Sequence, residues 1–165
     1  MTEIDNTDWG RSVAGVCIKD GKVLLARHTY GKGKGMLIIP GGYINKGEMP
    51  EEALAREYRE ETGITVKAGR LIGMRFNPKD WYAVFTAEYV EGEPRSDGEE
   101  NSEVIWLETE KALAEETVPH LTKLMIEKAL SSGGMTLTPF ESRTAGSILF
   151  TAEMNDRDNN TICIM

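Results

Sequence analysis

Glu57, Glu60 and Glu61 place three carboxylates within five residues. Separations of three and four residues bring side chains together on one helical face. Two carboxylates about 5 Å apart repel by roughly 3 kcal/mol at an effective dielectric of about 20, so three in one cleft call for a counter-charge. Arg56 and Arg59 offset part of this, although on a helical wheel Arg59 points away. A divalent cation is the natural candidate, since magnesium favours carboxylate oxygens and keeps positions open for phosphate oxygens. The other reading is a solvated acidic face, and the triplet alone favours it.

The flanking residues change that balance. Gly42, Glu48, Arg56, Glu57, Glu60, Glu61 and Gly63 fill every fixed position of the pattern Gly-x5-Glu-x7-Arg-Glu-U-x-Glu-Glu-x-Gly-U, where U is aliphatic. Ile64 fills the last U; Tyr58 stands where an aliphatic residue is usual. The stretch resembles the box of the Nudix hydrolase family. With each residue type at roughly one in 15, seven such matches arise by chance with odds on the order of 10⁻⁸. Weaker likeness extends over about residues 12–130.

The resemblance implies an α/β fold, a Nudix-type α/β/α sandwich with a mixed β-sheet. It implies Mg²⁺, in some relatives Mn²⁺, held by Glu57, Glu60, Glu61 and the carbonyl of Gly41, with Arg56 orienting Glu57 and with Gly42 and Glu48 supporting the cluster. The implied reaction is hydrolysis of a nucleoside diphosphate linked to another moiety. Water attacks the pyrophosphate while the metal neutralises phosphate charge. A carboxylate removes the proton, in relatives either a box glutamate or one on a distant loop. Glu99, Glu100 and Glu103 lie where such a loop falls, the last two preceding Trp106 by six and three residues. Each is equally readable as a surface charge.

Substrate choice is less legible. Phe76, Trp81 and Tyr82 are candidates to stack on a base, against the alternative that strand aromatics are core. Pro78, 15 residues after Gly63, resembles ADP-ribose-cleaving members, and Tyr82 those that cut diadenosine polyphosphates. The extended signatures of NADH-cleaving and coenzyme A-cleaving members are absent. ADP-ribose or a dinucleotide is the favoured substrate class. An (oxidised) nucleoside triphosphate pyrophosphohydrolase and a non-catalytic nucleotide sensor stay open. The intact glutamate triplet argues against the sensor. His28 and His120 read as isolated solvent-facing or packing residues.

Composition agrees. The 165 residues carry net charge −8 with pI near 4.9, and residues 48–61 hold six Glu against two Arg, half of that charge. Such a surface repels nucleic-acid backbone, so a small nucleotide is expected and a long RNA or DNA is not. No apolar run approaches 18 residues and no signal pattern is read at residues 1–11, so no membrane is expected. Cys17 and Cys163 show neither metal nor redox spacing, and Cys163, third from the end, fails the prenylation pattern. A cytoplasmic location follows as an expectation.

The elements that must position these residues are also readable. Residues 1–11 read as an arm, 12–131 as the hydrolase domain and 132–165 as an extension that adds strands to the sheet or joins a homodimer. Strands are expected at 12–18 and 22–27 around an Asp20-Gly21 turn, and at 36–39, 64–74, 81–90 and 103–107. Gly31-Lys-Gly-Lys-Gly35 reads as a flexible basic loop without a Walker ending; its lysines either touch substrate phosphate or are plain loop. Pro50 opens a helix that Gly63 ends, with Leu54 and Tyr58 as its packed side. Further helices are expected at 109–116 and 118–130, and 95–102 as an acidic loop. The tail carries apolar pieces at 147–152 and 161–165.

Overall fold

The computed structural model of the chain describes residues 10–152. In chain order its elements are β1 (Gly10–Lys19), β2 (Lys22–His28), a single 3-10 turn at Gly31–Gly33, β3 (Leu37–Ile38), β4 (Gly41–Tyr43), α1 (Pro50–Thr62), β5 (Thr65–Phe76), β6 (Asp80–Glu91), β7 (Asn101–Glu108), α2 (Thr109–Ala114), α3 (His120–Leu130), β8 (Met135–Leu137) and β9 (Phe150–Ala152). Asp20 and Gly21 take positive φ of 51° and 73°, the backbone that a tight hairpin between β1 and β2 needs.

The sheet is mixed. Its order is β3-β2-β1-β6-β5-β8-β9, with β4 also on β1 and β7 also on β2. β1 runs parallel to β6 over Gly10–Cys17, while the other pairings are antiparallel. One edge of β1 serves two partners in turn. Ser12, Val13 and Ala14 pair with β4, and Ile18 and Lys19 pair with β2. The sheet therefore splits around residues 15–17, where buried backbone groups need other partners. Gly15 N–H donates to the Pro40 carbonyl at 3.1 Å. The Tyr58 hydroxyl donates to the Gly15 carbonyl at 2.5 Å and has the Cys17 backbone within hydrogen-bonding reach. This explains the one departure from the box pattern: an aliphatic residue fills the slot, but only a phenol also closes the gap in β1.

Apolar side chains occupy both faces of the sheet. On one, α1 lays Ala53, Leu54 and Tyr58 against Val13, Cys17, Leu24 and Phe85. On the other, α3 lays Met125 and Ile126 against Val16, Val84 and Leu25, with Ala112 of α2. These layers make the expected α/β/α sandwich, and each buried Leu or Phe contributes about 1.5–3 kcal/mol. Cys17 is fully buried, and burial pushes its thiol up to about 12, as a packing residue should be.

α1 begins at Pro50 as expected. The Met49 N–H donates to the Glu52 carboxylate at 2.9 Å. Gly63, at φ 74°, ends it. Its last carbonyls find partners: Arg59 O accepts from Gly63 N–H and Thr62 O from Arg95 N–H.

Several boundaries differ. β7 starts at Asn101, because the loop before it closes on itself. α2 stops at Ala114, since the Glu115 carboxylate accepts from both Thr117 N–H and Thr117 hydroxyl and turns the chain. Pro119 caps α3 instead of sitting inside it. Met36 falls outside β3, its N–H and C=O being taken by Gly33 and His28. In the tail, β8 and β9 form a hairpin that joins β5 at Leu71. The apolar piece at 161–165 and the arm residues 1–9 lie outside the described residues.

Candidate active site

The site gathers where the sheet splits. β4 carries Gly41 and Gly42 past the flank of α1; backbone leaves no room for a side chain at Gly41, and one at Gly42 would displace the Glu57 carboxylate. A Cβ on Gly41 would meet Val13 O at 2.1 Å, and one on Gly42 would meet the Glu57 carboxylate carbon at 2.5 Å. The glycines let the helical carboxylates approach backbone directly. The Gly41 amide hydrogen-bonds to the Glu61 carboxylate.

Arg56 organises one end. Its Nε and Nη2 donate to the two Glu48 oxygens at 2.7 and 2.9 Å. Its Nη1 donates to Glu57 at 2.7 Å and more weakly to Glu60 at 3.3 Å, and Nη2 also reaches the Tyr43 carbonyl at 3.0 Å. Glu48 further accepts from Asn45 N–H at 2.9 Å. The Arg56 fork, with that amide, holds the Glu48 carboxyl down at about 2, and Glu48 in turn raises Arg56. Glu60 points outward, its side chain 61 % exposed.

The other end is the reverse. Glu61 is 95 % buried from solvent, being 5 % exposed, and makes no ion pair among the described residues. Burial first, then the charges of Glu57 and Glu100, push it up to about 8. Burial also raises Glu57, with Arg56 working against it and Glu60 and Glu100 with it. Among the described residues no three acidic, histidine or cysteine side chains stand close enough to form a ready-made metal cage. The donor set is nonetheless all carboxylate and backbone oxygen, and a buried carboxylate short of positive charge fits a hard divalent cation.

The two loop glutamates part company. Glu100 acts on both Glu57 and Glu61. Glu103 instead accepts from Arg27 Nε at 2.8 Å, and Arg27 also donates to the Gly35 carbonyl. The loop that carries Glu100 is built rather than loose. One Asp97 oxygen accepts from the N–H groups of Glu99, Glu100 and Asn101 at 3.0, 3.0 and 3.1 Å. Asn101, 1 % exposed, donates from Nδ2 to the Glu61 carbonyl at 2.9 Å and ties the loop to α1. Thr29 binds the carbonyls of Glu99 and Glu100.

Of the three aromatic candidates, Tyr82 is half-buried with Arg75 over its ring at 5.1 Å; burial raises its phenol, and Glu61 adds to that. Phe76 and Trp81 meet edge to face at 5.1 Å. Trp81 lines an apolar cavity of about 240 Å³ on the α1 side with Ile44, Pro50 and Phe150. His28 is not isolated: it stacks on Tyr30 at 5.4 Å and has Glu100 and Asp97 as charged neighbours. His120 is exposed. Sequence reasoning passed over Asp97, Asn101, Tyr30 and Tyr43. Asp97-Gly98 is a turn signal that could have been read, and nothing local singles out Asn101. No helix among the described residues is long and apolar enough to cross a membrane.

Known proteins resemble this chain in sequence and in fold. The chain is 40 % identical over 67 residues to an ADP-ribose pyrophosphatase of Methanocaldococcus jannaschii, covering 41 % of this chain and 40 % of that protein. It is 32 % identical over 115 residues to the NAD-capped RNA hydrolase NudC of Photobacterium profundum, covering 68 % of this chain and 43 % of that protein. The matches thus span less than half of these relatives' own length. Among solved structures, the MutT protein of Methanosarcina mazei superposes with TM-score 0.61 at 28 % identity, covering 73 % of this chain and 92 % of the other. A Nudix-family hydrolase of Clostridium perfringens superposes with TM-score 0.65 at 22 % identity, covering 74 % and 96 %, a likeness of fold. The NUDIX domain model matches residues 9–127, and the chain belongs to the NUDIX family.

Proposed function

We propose that the chain hydrolyses the diphosphate of a nucleoside diphosphate derivative, giving a nucleoside monophosphate and a phosphorylated remainder, with Mg²⁺ or Mn²⁺ as cofactor. The observation that carries this is Glu61, buried beside Glu57 and Glu100 with no ion pair among the described residues. A site that holds one carboxylate so far from its preferred charge state is set up for a cation.

Glu57, Glu60, Glu61 and the Gly41 carbonyl would hold the ion. When bound, it would neutralise phosphate charge and favour ionisation of the attacking water. Arg56 keeps Glu57 in place and Glu48 keeps Arg56 in place. Glu100 is the favoured base, because it faces the helical carboxylates while Glu103 is committed to Arg27. Gly42 admits the Glu57 carboxylate. Of the aromatic candidates Tyr82 is favoured over Phe76 and Trp81, since Glu61 acts on its phenol.

ADP-ribose and an NAD cap each carry a nucleoside on a diphosphate, and the names of both relatives support that substrate class. The acidic balance of the chain favours a small nucleotide over a long RNA. The test is phosphate or nucleotide release from ADP-ribose, a dinucleoside polyphosphate, 8-oxo-dGTP and an NAD-capped oligonucleotide, each with and without Mg²⁺. Metal-dependent turnover of ADP-ribose or the dinucleotide is expected. No turnover of any of them would sink the reading. Glu100→Gln should lower kcat on the order of 100-fold and Glu103→Gln only about 3-fold.

A further inference from the structure

Asn101 opens β7 and directly follows Glu100. Its Nδ2 donates to the Glu61 carbonyl at 2.9 Å, so one amide joins the chain at Glu100 to the backbone of the residue that carries the buried carboxylate. Glu61 O belongs to the last turn of α1, where carbonyls have no partner inside the helix. Arg59 O and Thr62 O there accept from backbone amides, while Glu61 O accepts from this side chain. The rest of Asn101 is fixed as well. Its N–H donates to Asp97 at 3.1 Å, and its carbonyl accepts from Ser96 Oγ at 2.7 Å.

Strand pairing does not by itself aim Glu100. Asn101 lies opposite His28 and Glu103 opposite Arg27, so the register shifts between them, and such irregularities re-aim the chain. Arg95 N–H holds the start of the loop on Thr62 O, and Thr29 holds the Glu99 and Glu100 carbonyls on the β2 side. Asn101 ties the end that carries Glu100 to α1. Stability does not account for an amide here. Glu61 O can only accept, which turns Nδ2 toward it and leaves Oδ1 buried with no hydrogen-bond partner among the described residues. A buried acceptor without a donor costs stability. Leucine, similar in shape, would remove that oxygen and free Glu61 O, one unpaired group for another.

We propose that Asn101 is a positioning residue: its amide sets Glu100 against the Glu61 end of α1, and turnover depends on it more than folding does. The inference rests on the hydrolytic reading above, with Glu100 as its base. Asn101 itself, 1 % exposed, touches neither substrate nor cation and acts through Glu100.

The test is a double-mutant cycle of Asn101→Leu and Glu100→Gln, in Mg²⁺, on whichever compound of the panel above the parent turns over fastest. Asn101→Leu should lower kcat about 10-fold, with KM within about 3-fold of the parent and the melting temperature nearly unchanged. In the Glu100→Gln background the same change should cost less than about 2-fold, because the group it aims is already disabled. Asn101→Ser takes its place if the leucine variant does not fold. Equal losses in both backgrounds, an unchanged kcat, or a Glu100→Gln variant as active as the parent overturns the proposal and leaves the hydrolytic reading standing. A parent that turns over none of the compounds sinks that reading, and the position of Glu100 is then read by nuclear magnetic resonance. Added Mn²⁺ should broaden the Glu100 amide signal in the parent and much less in Asn101→Leu, while the Glu60 and Glu61 amides broaden equally in both. Equal broadening of Glu100 in the two proteins, or none in the parent, overturns the proposal.

Discussion

Glu48 and Glu61 belong to one acidic site and live under opposite electrostatics. Glu48 shares a two-pronged contact with Arg56 and sits at about 2; Glu61, buried beside two like charges, sits at about 8. The first end is neutralised within the chain and holds the shape of the β4–α1 junction. The second is left short of positive charge. Their pH behaviour must differ in sign. Glu48 contributes stability that is present above its ordinary 4.5 and is lost as pH falls toward 2. Glu61 contributes stability that is full below 4.5 and is lost as pH rises through about 8.

Substitutions at the two ends should separate them. The largest effect is expected from Glu61→Gln, which removes the uncompensated charge. Turnover should fall by about 100-fold or more, while the metal-free variant becomes no less stable than the parent at pH 7.5 in a thermal melt. A variant that kept its Mg²⁺-dependent rate would end the distinction between the two ends. Arg56→Met comes next. It leaves Glu48 and Glu57 without their cation, and activity should drop about 10- to 100-fold, as when a group that orients metal ligands is lost. Unlike Glu61→Gln, it should lower the melting temperature, and equal melting curves would show that Arg56 does not hold the junction.

A smaller effect is a pH profile. Metal-free protein should melt lower as pH rises from about 5 to 8, added Mg²⁺ should recover most of the difference, and Glu61→Gln should flatten the profile. A slope of the opposite sign would mean that Glu61 is already paired. The smallest effect is Tyr58→Phe, which leaves the Gly15 carbonyl without its partner at a cost of about 1–2 kcal/mol. That would show in urea denaturation, with kcat close to that of the parent.

How much of this was legible in the sequence depends on how local the cause is. The α1 boundaries, the Gly63 stop and the hairpin at Asp20-Gly21 follow from neighbouring residues, so spacing and turn chemistry were enough. The packed pair Leu54 and Tyr58 followed from helical period. What Tyr58 does with its hydroxyl did not, because the gap in β1 exists only once β2 and β4 have taken different parts of one strand. Glu100 and Glu103 looked alike as neighbouring acids in sequence. Arg27, on a strand far back in the chain, separates them. Asn101 reads as one more polar loop residue until the loop is folded against the end of α1, where its amide meets Glu61 O.

The three N–H groups collected by Asp97 have a consequence for timing. A strand-to-strand crossing held by its own carboxylate has few conformations left to lose when a ligand arrives, so the entropic toll of ordering it falls on folding instead of on each encounter. Rapid-mixing fluorescence should therefore show ligand capture in one phase, with no slower rearrangement behind it, and Asp97→Ala should introduce one.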